Sequence, residues 1–66
     1  GENELAISTI EKTIELKPNY KEARLAYALL LMDKNEKVRA REQLEYILTK
    51  IDPSDPTVKQ ALEELK

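Results

Sequence analysis

Apolar residues recur at helical spacing in four stretches of this chain, separated by short polar or proline-bearing breaks. The first, residues 2–17, sets Ala6, Ile10, Thr13, Ile14 and Lys17 at that spacing, and Leu5, Ile7 and Leu16 widen its apolar side. Pro18 ends it, because the residue before a proline avoids the α region. The second, residues 20–33, contains an unbroken apolar run from Leu25 to Met32. A helix that is apolar on nearly every side must be covered on nearly every side, and here only the flanking segments can supply that cover. Asn19 is expected to cap this helix, with Glu22 closing a capping box.

Asp33, Lys34 and Asn35 break the pattern before a third helix over residues 36–51, for which Asn35 is the expected cap. Its apolar positions Ala40, Leu44, Ile47, Leu48 and Ile51 form a stripe on one face. Asp52-Pro53-Ser54-Asp55-Pro56 then reads as a turn in which Asp55 suits an N-cap and Pro56 the first helical position. Residues 56–65 make a short fourth helix, marginal in isolation, with Val58, Ala61, Leu62 and Leu65 on its apolar face. Turns this short make neighbouring helices antiparallel. The predicted fold class is all-α, four antiparallel helices with no strand.

The chain also repeats itself. At an offset of 34, Ala6 aligns with Ala40, Ile10 with Leu44, Glu11 with Glu45 and Ile14 with Leu48. At an offset of 35, Pro18 aligns with Pro53, Asn19 with Ser54, Ala26 with Ala61, Tyr27 with Leu62 and Leu30 with Leu65. Helices one and three are thus copies of one unit, and helices two and four of another. The change of offset places an inserted residue near the end of helix three.

This period and pattern resemble the tetratricopeptide repeat. Ala6, Ile10, Thr13 and Pro18 match the second helix of that family, and Ala40, Leu44 and Ile47 match it again, with Pro53 one residue late. Where the family's first helix carries Trp, Leu, Gly and Tyr, this chain has Arg24, Tyr27, Ala28 and Leu31; Ala28 keeps a small residue where two helices approach closely. The resemblance spans residues 2–66 and implies a single helical-repeat domain over 1–66, a fragment of an α-α superhelix. In it, residues 2–18 are the second helix of an incomplete repeat and 19–53 one full repeat. Residues 54–66 are then a terminal helix, either the next first helix or a cap. Because stacked repeats bury their apolar faces on neighbours, it further implies the C-terminal end of a longer array.

Composition removes most chemistry. There is no cysteine and no histidine, so disulfides, thiolate and most zinc sites, and histidine-based acid–base catalysis are absent. With one glycine there is no glycine-rich phosphate loop. The carboxylates Glu11 and Glu15, and Glu42 and Glu45, stand at helical spacing but read as solvated surface. We therefore expect no enzyme, no cofactor and no metal. Charged residues are 36% of the chain with a net charge of -2, a balance that argues against nucleic acid or an acidic membrane as partner. The basic cluster Lys34, Lys37, Arg39 and Arg41 reads as the solvated start of helix three, with Arg41 paired to Glu45. A helix-turn-helix reading of it lacks a helix that is basic throughout and an aromatic platform. No apolar run reaches the ~20 residues that span a bilayer, no signal peptide opens the chain, and Gly1 is set aside as a cloning remnant.

What remains is binding of another polypeptide. The resemblance places the concave groove on the free side of helix two, at Glu22, Leu25, Ala26, Leu29, Met32 and Asp33, with Asn19 and Tyr20 beside it. Leu25, Leu29 and Met32 form one stripe, which is either an exposed groove or core covered by helix four. Some members of the family hold C-terminal carboxylates there with lysine, arginine and asparagine. Glu22, Leu25, Ala26 and Leu29 offer no such donors, so a carboxylate clamp is not expected. The alternative is self-association into a homo-oligomer through the apolar faces of helices one and two.

Overall fold

The computed structural model describes residues 2–66; Gly1 lies outside them. Helix α1 runs Glu2–Leu16, α2 Lys21–Asp33, α3 Lys37–Tyr46 and α4 Pro56–Glu64, and a π-helical turn over Ile47–Ile51 prolongs α3. The described residues are all-α, with no strand. Each boundary falls within one residue of the expected one. Side-chain pairs give the direction of packing. Lys21 meets Asp52, Arg24 meets Gln43 and Tyr27 meets Arg39, so α2 and α3 run antiparallel. Tyr27 reaches Glu11 across from α2 to α1, and Arg41 reaches Leu65 from α3 to α4, in the same sense. The principal extents are 32 × 25 × 15 Å.

The inserted residue near the end of α3 has a physical form. At Ile47–Ile51 the chain takes the wider π turn, in which the Asp52 N–H donates to the Ile47 carbonyl (2.8 Å), five residues back instead of four. One extra residue is thereby absorbed inside a helix, which is why the repeat offset changes there and Pro53 arrives late. The Thr49 hydroxyl bonds the Glu45 and Tyr46 carbonyls (2.8 and 3.3 Å) at the mouth of this turn.

The helix ends correct two expectations. Asn19 does not cap α2, and no capping box with Glu22 forms: the N-cap is Tyr20, without a side-chain hydrogen bond. Asn19 Oδ1 instead accepts from the Tyr46 hydroxyl at 2.9 Å, a partner on α3 that outcompetes the local cap. Asn35 does not cap α3 either; the N-cap there is Glu36. Asn35 ends α2, in the left-handed region with φ 66°. The Glu36 N–H donates to the Leu31 carbonyl (2.8 Å) and the Asn35 N–H to the Met32 carbonyl (2.9 Å), the paired bonds of a Schellman motif. Asparagine tolerates the left-handed backbone better than other residues with a Cβ, so it suits this role as well as a cap. Asp55 and Pro56 behave as expected: the Asp55 carboxylate accepts from the Val58 N–H at 3.1 Å, and proline occupies the first turn of α4.

The core joins α2, α3, the π turn and α4. Leu31, Leu44, Ile47 and Val58 are its largest fully buried side chains, and Ala28 and Ala40 are fully buried beside them. Among the described residues, α1 contributes no buried side chain to it; Ile7, Ile10 and Ile14 are half-buried against its edge.

Candidate functional site

The turn between α1 and α2 is held by α3. Arg24 donates from Nε to the Pro18 carbonyl (2.9 Å) and from Nη1 to Gln43 Oε1 (2.8 Å), and its guanidinium lies 3.6 Å from the centre of the Tyr46 ring. Tyr46 in turn holds Asn19. An open depression lined by Lys17, Pro18, Asn19 and Tyr20 lies along this turn. Asn19 thus has a structural partner on α3, while Tyr20 leaves 44% of its surface free.

Along the free side of α2 the proposed partner-binding residues divide. Glu22 and Asp33 are exposed, and Leu29 is 49% exposed. Ala26 is half-buried, and Leu25 and Met32 are half-buried and pack against the core. The stripe of Leu25, Leu29 and Met32 is therefore neither an open groove nor closed core. Leu29 stands proud of a shallow apolar strip whose two ends lean inward. Helix α4 packs chiefly on α3 and the π turn and leaves Leu29 uncovered.

A polar bridge lies on the other side of α2. The Tyr27 hydroxyl donates to Glu11 Oε2 at 2.8 Å and accepts from Arg39, which also pairs with Glu36 at 3.1 Å. Burial, then the bond to Glu11, raises the Tyr27 phenol above its ordinary pKa. Sequence reasoning missed this link, and it misassigned Arg41, which donates to the Leu65 carbonyl (3.1 Å) at the end of α4 and not to Glu45. A helix C-terminus leaves carbonyls unpaired, and a long cation brought close by folding satisfies one of them. Of the basic cluster, only Lys34 and Lys37 are left without partners among the described residues.

A third cluster pins the start of α2 to the turn before α4. The Lys21 ammonium lies 3.0 Å from Asp55 and 3.2 Å from Asp52. Asp55 is held below the usual carboxylate range by Lys21 and then by the Val58 N–H. Asp52 is lowered by the Ser54 N–H and then by Lys21, and Lys21 is raised by Asp55 and Asp52. A carboxylate with a depressed folded pKa stabilises above its unfolded value, and that contribution is lost as pH falls through the folded value. A raised lysine or tyrosine stabilises below its unfolded value, and that contribution is lost as pH rises through the folded one. With no histidine or cysteine side chain to titrate in between, thermal stability should be level from about pH 5 to 9 and fall outside it. Melts across pH should show the acid limb flattened by Asp55→Asn; an unchanged acid limb would remove Lys21–Asp55 from the account.

No chemistry-bearing constellation accompanies these contacts. Among the described residues, no group of three or more acidic, histidine or cysteine side chains is placed to hold a metal ion. No helix among the described residues is long and apolar enough to cross a membrane. Compared with models of known families, with curated proteins and with solved structures, the chain matches none of them.

Proposed function

We propose that this chain is a non-catalytic module of tetratricopeptide-like repeats that binds a polypeptide along the free side of α2, with Leu29 at the centre of the contact. The observation carrying this reading is the half-exposed Leu29, set between the half-buried Leu25 and Met32 on a helix whose other side is core. An apolar strip of this kind, rimmed by Glu22 and Asp33, has the make-up of a contact surface. Covering the exposed half of Leu29 is worth half the ~1.5–3 kcal/mol of a full leucine burial, enough for it to act as an anchor. The repeat reading is supported by the two offsets, by the order of four antiparallel helices, and by the π turn that accounts for the change of register.

The test is a random-peptide selection against the intact protein, followed by affinity measurements on Leu29→Glu. That substitution should weaken most selected peptides by about tenfold or more, the equivalent of ~1.4 kcal/mol, while helicity and melting temperature stay near wild type. Peptides that bind Leu29→Glu as tightly as wild type would move the site elsewhere. Loss of helicity would show Leu29 to be core.

A further inference from the structure

Helix α1 has an open side, and the chain contains a worked example of what covers such a side. At the offset of 34, α1 is a copy of α3, and on α3 the corresponding side lies under α2: Arg24 bonds Gln43 and stacks on Tyr46, and Tyr27 bonds Arg39. On α3 this leaves Ala40, Leu44 and Ile47 fully buried. Their counterparts Ala6, Ile10 and Thr13 are only half-buried, and the positions around them are open, with Leu5 71% exposed and Thr9 and Lys12 exposed. The Thr13 hydroxyl is already satisfied by the Thr9 carbonyl at 3.0 Å, so an apolar neighbour can cover Thr13 without stranding a polar atom.

We propose that this side of α1 docks an amphipathic helix from another polypeptide segment, seated as α2 sits on α3. Each contact position on α1 says what that helix must carry. Where α2 puts Tyr27 against Arg39, α1 offers Leu5, so the incoming residue is apolar. Ala6 and Ile10 repeat the surface of Ala40 and Leu44 with nothing larger, so the positions of Ala28 and Leu31 keep a small residue and a leucine. Where Arg24 meets Gln43 and Tyr46, α1 offers Thr9 and Lys12, and an arginine there would face a like charge. The incoming helix has an acidic residue at that place, three positions before its apolar one.

A second copy of the chain does not meet this requirement. The side of its α2 that would seat there already lies on α3, and its α4, which aligns with α2 at an offset of 35, has Glu63, and Lys66 just beyond its end, where Ala28 and Leu31 stand. Those two side chains are ion-paired at the end of α4 at 3.1 Å, so that end presents a polar face while α1 presents an open one. The inference uses the correspondence of α1 with α3 and does not depend on Leu29, so the two experiments fail independently.

The probe is a labelled synthetic helix with the sequence of residues 19–35 carrying Arg24→Glu, Leu25→Gln and Leu29→Glu, the last two borrowed from the Gln60 and Glu64 positions of α4 for solubility. Titrated with the intact protein, it should bind saturably. Thr9→Arg, an exposed change that leaves the fold alone, should weaken binding by about tenfold or more. Lys12→Glu should weaken it too, and a probe that keeps Arg24 should recover binding to that variant. No binding up to ~1 mM, about 4 kcal/mol of association, would overturn the proposal. So would binding indifferent to Thr9→Arg, which marks displacement of the protein's own α2, or a dimer of the chain alone that Thr9→Arg dissolves.

Discussion

Leu44→Ala should lower the melting temperature by ~10 °C or more. Leu44 is fully buried on α3 among Leu31, Ile47 and Val58, so its loss removes apolar contacts and leaves a cavity that backbone on three sides cannot close. Such truncations cost ~2–5 kcal/mol. A 66-residue domain has ~3–10 kcal/mol in total at the usual stability per residue. A large share of the stability therefore rests on one side chain. Val38→Ala, on the same helix but 73% exposed, should be nearly silent and serves as the control. Circular dichroism melts read both. A Leu44→Ala melt within ~2 °C of wild type would place the core elsewhere.

The second large effect is a difference between two deletions in one continuous helical segment. Removing Lys50, exposed within the π turn, lets the backbone close with ordinary α bonds and returns the repeat to a uniform offset. The residues on either side keep their faces, and the variant should fold with a melting temperature lowered by only ~5 °C. Removing Glu42, exposed in the middle of α3, turns everything on one side of the deletion by about 100°. The start of α3, with Ala40, is then rotated away from the Leu44, Ile47 and Ile51 stripe, so the two parts cannot both meet the neighbours they pack on, and the variant should not fold cooperatively. Equal tolerance of both deletions would mean that the wide turn is no more than a local irregularity.

The four helices were legible because apolar spacing and prolines are local signals: Pro18 and the Asp55–Pro56 pair mark boundaries through backbone geometry alone. The inserted residue was located by the change of offset, though its form, a widened turn, needs the backbone. The two asparagines show where local reading stops. Asn19 and Asn35 each stand between helices, where an asparagine is equally suited to begin the next helix or to end the last one. The choice was made by Tyr46, distant in sequence, and by the carbonyls of Leu31 and Met32. Arg24 on Tyr46 and Arg41 on Leu65 are likewise products of the tertiary fold, invisible to helical spacing. On the free side of α2, spacing put Leu25, Leu29 and Met32 on one stripe, but how deeply each lies depends on how neighbouring helices splay, and only Leu29 stays well exposed.

Among the described residues none on α1 is buried, and this sets an order of events in time. Native-state hydrogen exchange of α2 and α3 amides, tied to the shared core, should require opening of the whole domain. Amides of α1, anchored by half-buried isoleucines and the Tyr27–Glu11 bond, should exchange through a smaller and more frequent opening that leaves the other helices assembled. The chain thus has a slow-breathing body and a quick leading helix, and whatever settles on α1 will slow its exchange before it changes any other signal.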